Sequence, residues 1–199
     1  MRYKITSLAG FVGAILVLAG CADGGETTST VRTPTESPAA RQSFNDADVT
    51  FAQQMIPHHQ QAIDMALVAQ ERAENDQVRE LAAAIEEAQG PEIATMTGWL
   101  EAWGEDVPAE TGGMDHSGMS MGDMPGMMSD QEMDDLAAMS GATFDEMFLT
   151  MMIAHHEGAI EMARTEQADG ENPEAIALAE KIEADQAAEI DTMRGLLGS

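Results

Sequence analysis

The chain has 199 residues, with 36 Asp and Glu against 9 Lys and Arg, and a formal net charge of −27. So acidic a chain argues against a nucleic-acid partner, whose phosphates need Lys and Arg, and suits cations. Apolar residues make up 44% of it but aromatics only 4%. Ala, Met, Leu and Ile must therefore fill the core, which favours close-packed helices, and no run of alternating β-branched residues argues for strands.

Arg2 and Lys4 begin the chain with positive charge, and an apolar run follows from Ile5 to Leu18. That run is too short to span a membrane and ends in small residues, as a secretory signal does. Leu18-Ala19-Gly20-Cys21 resembles a bacterial lipobox, which implies removal of residues 1–20 as a lipoprotein signal peptide and lipidation of the Cys21 sulfur. The expected location is extracytoplasmic, anchored to the cell membrane by lipid. Cys21 is the one cysteine, so an internal disulfide and a Cys-based metal site are both excluded. Residues 21–42 are rich in Thr, Ser, Pro, Gly and Glu and read as a flexible tether.

Residues 43–199 read as one all-α domain, a four-helix bundle built from two duplicated hairpins. Slid along itself until His58 falls on His155, the chain also aligns Phe51 with Phe148, Met55 with Met152, Asn75 with Asn172 and Gln89 with Gln186. Met96 then meets Met193 and Leu100 meets Leu197 without a gap. The repeats are 46–103 and 143–199. Helices are predicted over roughly 47–72, 76–103, 144–168 and 173–197. Asp46 and Thr143, the latter with Glu146, are the expected caps of the first helix in each repeat, and Asn172 with Pro173 starts the last one. Pro57 and Pro91 should kink their helices or mark a later start.

The first helix of each repeat carries the chemistry. Met55, His58, His59, Ala62 and Ala66 lie within about 60° of one direction on a helix, and Met152, His155, His156, Ala159 and Ala163 repeat the pattern. Gln60 and Asp64 point to water. Pairing the hairpins about a pseudo-two-fold axis would bring four imidazoles and two thioethers together in the core. Imidazole binds copper, zinc, iron and nickel, and thioether sulfur selects Cu(I). Outside the cytoplasm, where thiols oxidise, methionine is the serviceable soft ligand. Met65 and Met162 read as core filler.

On the second helices Val78, Leu81, Ile85, Met96 and Leu100 form an apolar stripe that also contains Gln89 and Glu92; Gln186 and Glu189 sit likewise. A carboxylate on a core face needs a partner. It can accept the free N–H of a ligating histidine, the favoured role, or bind the ion directly. A di-iron oxidase is disfavoured, because Met55 and Met152 stand where its Glu-x-x-His motif needs carboxylates.

The connector, residues 104–129, crowds Met114, His116, Met119, Met121, Met124, Met127 and Met128 into an irregular stretch. It resembles the methionine-rich loops of extracytoplasmic copper proteins, which implies collection of Cu(I) or Ag(I) and transfer to the histidines. Ser129 and Glu132 should cap a short helix with Met133, Leu136 and Met139 facing inward.

The two M-x-x-HH-x-x-A-I-x-M-A segments, each followed by Q-x-x-E-I-x-x-M, resemble the secreted family called domain of unknown function 305. That resemblance covers the chain from about residue 45 onward. It implies a ferritin-like bundle linked to periplasmic copper binding, with roles for Met55, His58, His59, Met152, His155 and His156, and for Gln89, Glu92, Met96 and their partners Gln186, Glu189 and Met193. The expected function is a lipid-anchored protein that buffers or sequesters Cu(I) and is not an enzyme. Its expected partners are a metal ion and, through Cys21, a membrane; self-association is left open. A redox metalloenzyme with a copper or iron centre and a structural module whose histidines form a hydrogen-bonded core or pH switch are the alternatives.

Overall fold

The computed structural model describes residues 43–108 and 124–198. Cys21, Met114, His116, Met119 and Met121 lie outside the described residues. Five helices follow one another: α1 (Asp46–Arg72), α2 (Asp76–Trp103), α3 (Asp130–Ala138), α4 (Gly141–Asp169) and α5 (Pro173–Leu197). α1 packs on α2 and α4 on α5 as hairpins, and α1 packs on α4 between them. The four long helices form the expected bundle, with α3 lying against α4. No helix among the described residues is long and apolar enough to cross a membrane.

The caps partly correct the sequence reading. Asn45, not Asp46, caps α1: its side chain accepts from the Ala47 and Asp48 amides, and its own amide donates to Asp48 Oδ2 at 2.6 Å. α4 begins at Gly141 rather than after Thr143, and its N-cap, Ser140, makes no side-chain cap bond. The extra turn carries Phe144, fully buried and stacked on Phe148 at 6.0 Å, so tertiary burial rather than a cap sets this start. Asn75 and Asn172 cap α2 and α5, and Ser129 and Glu132 form the predicted box on α3. Leu136 is buried, and Met133 and Met139 pack half-buried on the same core. Pro57 and Pro91 delay neither helix start. α1 and α2 run through them over 27 and 28 residues, long enough for packing to absorb one missing N–H each.

The repeats lock together crosswise. Asp48 on α1 accepts from the Asn172 amide at 2.9 Å and the Glu171 amide at 3.2 Å, at the start of α5. Its counterpart Asp145 on α4 accepts from Asn75 at 2.9 Å and Glu74 at 3.0 Å, at the start of α2. Each carboxylate thus meets the positive end of a helix dipole in the other repeat. Asp145→Ala should cost about 1–2 kcal/mol, read as a lower urea midpoint with an unchanged slope.

Two apolar clusters fill the bundle. One holds Ala62, Met65, Val78, Ile85, Phe148, Met152 and Met193; the other holds Phe51, Met55, Met96, Leu100, Met162 and Ile182. Along α1 the chain passes from the second cluster to the first, and along α4 from the first to the second. The division falls at His58-His59 on α1 and at His155-His156 on α4, so the histidines form a polar layer between two greasy ones.

Candidate metal centre

Small residues make this layer. Ala62, Ala66, Ala159 and Ala163 are fully buried one or two turns beyond the histidines, which lets α1 and α4 approach closely with room for imidazoles between them. His58, His59, His155 and His156 all have zero exposure. The His58 and His155 rings lie 3.8 Å apart by centroids, and His155 and His156 lie 6.4 Å apart.

Three of the four rings are held by one nitrogen. His59 Nε2 is 2.8 Å from Glu92 Oε2, and His156 Nε2 is 2.6 Å from Glu189 Oε2. His58 Nε2 lies 3.0 Å from the backbone carbonyl of Pro125. A carbonyl oxygen carries no proton, so the ring must donate. Glu92 is likewise an acceptor: burial favours its acid form, but hydrogen bonds from His59 and from Lys181, at 2.9 Å on Oε1, outweigh this and hold it below the usual range. The Glu92 carboxylate is buried, whereas Glu189 is half-buried and lacks a lysine. The second helices therefore supply the carboxylates that orient the rings.

Burial also keeps the imidazoles of His58, His59 and His155 neutral. It pushes His58 down to about 3, helped by the neighbouring His59. His155 falls well below its ordinary value by burial and by repulsion from the other histidines. His59 is lowered by burial despite the opposing pull of Glu92. With the proton on Nε2, a neutral ring carries a bare lone pair on Nδ1. The Nδ1 atoms of His58, His59, His155 and His156 are all buried without a hydrogen-bond partner, and His155 has none on Nε2 either. Buried polar atoms are nearly always paired, and neutral nitrogen donors left unpaired beside buried thioethers suit a soft or borderline metal ion.

The geometry is narrower than four imidazoles and two thioethers on one ion. No group of three or more His, Cys, Asp or Glu side chains among the described residues stands ready to hold a metal. The close pair is His58 with His155. Met55 and Met152 are fully buried but fall in opposite apolar clusters, one on each side of the histidine layer. Met96 shares a cluster with Met55, and Met193 with Met152. Donors beside the close pair are therefore the free Nδ1 atoms of His59 and His156 and the buried thioethers on either side of the layer. Gln89 and Gln186 are buried, with both amide atoms of Gln89 and Oε1 of Gln186 unpartnered.

From the connector, Met124, Met127 and Met128 are half-buried. Met127 closes a turn onto the Met124 carbonyl, and Met128 packs on the larger apolar cluster. Sequence reasoning missed three partners here: Pro125, Gln61, which grips the Met128 backbone, and Gly158, against which the Pro125 carbonyl packs. The available signal was that Gln61 and Gly158 differ at equivalent positions within otherwise matching repeats. Lys181 was missed for the same reason, since Ala84 is its counterpart.

Known proteins share this fold. The chain is 36% identical to CopM in its Cu(II)-bound form, covering 76% of this chain and 95% of that one with a TM-score of 0.64. A DUF305 fragment from Deinococcus radiodurans matches at 34% identity over 77% of this chain and 97% of its own, TM-score 0.68. A DUF305 protein from Streptomyces coelicolor matches at 33% over 76% and 92%, TM-score 0.65. No curated protein matches. The pattern described as Domain of unknown function (DUF305) fits residues 48–197, and the chain belongs to that family.

Proposed function

We propose that this protein is an extracytoplasmic, lipid-anchored metal-binding protein that buffers or sequesters Cu(I) and is not a catalyst. The observation that carries the reading is the set of four imidazoles whose Nδ1 atoms are all buried without partners. CopM, similar over most of both chains, has structures with Cu(II), Cu(I) and Ag, which supports copper as the cargo. The description of the Streptomyces coelicolor relative as secreted supports the location, and the Cys21 lipobox motivates the anchor.

In this reading His58 and His155 offer the closely spaced pair of rings, and buried methionines supply soft sulfur. Glu92 and Glu189 orient His59 and His156 and raise their basicity rather than touching the ion. Nitrogen and thioether donors favour Cu(I) over harder ions. The structural-module alternative would need the histidines to satisfy one another, and their unpartnered nitrogens support the metal reading instead.

Titration of the metal-free protein with Cu(I) under reducing conditions, against a competing chelator, tests this. Replacing His58, His59, His155 and His156 with alanine should remove at least the tightest uptake. Equal uptake by a folded quadruple variant would discard the bundle site.

A further inference from the structure

One short strap lies over the histidine layer, and both central helices are shaped to receive it. A Cβ added at Gly158 on α4 would fall 2.0 Å from the Pro125 carbonyl oxygen and 2.4 Å from its carbon. One added at Gly126 would fall 2.6 Å from the Ala154 carbonyl oxygen and 2.9 Å from that of His155. Gly126 also has φ of 75°, in the left-handed region that glycine alone adopts freely. Two backbones therefore touch with no side chain between them.

From α1, Gln61 holds the same strap. Its amide donates to the Met128 carbonyl at 2.8 Å and accepts from the Met128 amide at 2.7 Å. Gln61 and Gly158 occupy equivalent positions in the two repeats. One grips by a pair of hydrogen bonds, the other by offering no Cβ. Between them the strap is set so that the Pro125 carbonyl meets His58 Nε2 at 3.0 Å.

The consequence is a division of labour. His59 and His156 are oriented by carboxylates on their own hairpins, Glu92 and Glu189. His58 has no such carboxylate, and neither ring nitrogen of its counterpart His155 makes a well-formed hydrogen bond, the His58 backbone being only a weak polar neighbour. Resting on the copper reading above, we propose that the Pro125 carbonyl, seated by Gly158 and Gln61, is a positioning group that fixes the His58 ring so that Nδ1 alone faces the metal ion. It serves His58 as Glu92 serves His59, without adding negative charge to the layer. Because residues 124–128 end the methionine-rich connector, seating that end and presenting the His58 donor are coupled.

The tautomer of His58, read from long-range proton–nitrogen correlations in 15N-labelled, metal-free protein, tests this independently of copper. Wild type should show the Nε2–H form. Gly158→Ala and Gln61→Ala should each convert His58 to a mixture of tautomers while His59 keeps its own. Cu(I) affinity should fall roughly tenfold in both variants, the scale of lost hydrogen bonds that orient a ligand. A merely structural strap would change stability without moving the His58 signature. If Gly158→Ala does not fold, the Gln61 variant, altered at a half-buried position, carries the test. A pure Nε2–H form retained in both variants overturns the proposal, even where copper binds. A tautomer shift in a protein that takes up no Cu(I) upholds the positioning role and removes the copper reading instead.

Discussion

His155→Leu should make the metal-free protein more stable and the metal-loaded protein weaker. His155 is fully buried and neither ring nitrogen has a partner. Each buried, unsatisfied polar group costs on the order of 1–3 kcal/mol, and leucine of similar volume removes both. A gain of about 1–3 kcal/mol is expected without metal, seen as a melting temperature several degrees higher. Cu(I) affinity should drop about a hundredfold or more, since losing a donor exceeds the roughly 10–100-fold effect of losing a group that orients one. A residue kept for packing would respond in the opposite way: leucine would destabilise the fold and leave copper uptake alone. Thermal melts with and without Cu(I) separate the two, and an apo protein weakened by the substitution would remove His155 from the site.

A second large effect lies away from the histidines. Asp48 and Glu166 are both buried, yet only Asp48 is supplied with donors, from the amides of Asn45, Glu171 and Asn172. Burial raises the Asp48 carboxyl, but the neighbouring Glu166 acid group and then those amides outweigh it and hold Asp48 below its ordinary value. Glu166, with no donor on either oxygen, keeps its proton; burial first, then the neighbouring Asp48, pushes it up to about 8. A carboxyl raised in the folded state stabilises fully below its unfolded value near 4.5 and loses that contribution as pH rises through 8. The whole loss is at most about 5 kcal/mol.

The lowered histidines act with the opposite sign. Their folded values lie below the unfolded one, so their neutral burial costs stability as pH falls below 6.5. Comparing Glu166→Gln with wild type cancels the histidine contribution. Between pH 5 and pH 9 the variant should gain a few kcal/mol relative to wild type, measured as the difference between urea unfolding curves. A difference that stayed constant across this range would show that Glu166 is ionised in the fold.

Much of the bundle was legible because duplication states a pattern twice. Matching positions from Phe51 to Leu100 and from Phe148 to Leu197 revealed four helices, their apolar stripes and the inward histidines. Asn172-Pro173 and Ser129 with Glu132 placed two helix starts, since capping is local chemistry. Thr143 misled, because the start of α4 answers to Phe144 and Phe148 meeting the core rather than to its own cap.

Residue type and spacing thus determined the all-α fold, the buried histidine face and the carboxylates beside it, for these follow from helical periodicity and the cost of burying charge. Tertiary structure alone decided which nitrogen each ring commits, that Met55 and Met152 lie on opposite sides of the layer, and that a connector carbonyl holds His58. Those outcomes depend on contacts between segments far apart in the chain. Gln61 with Met128, Pro125 with Gly158 and Asp48 with Asn172 have no periodic signature, and a repeat comparison registers them only as places where the two halves disagree.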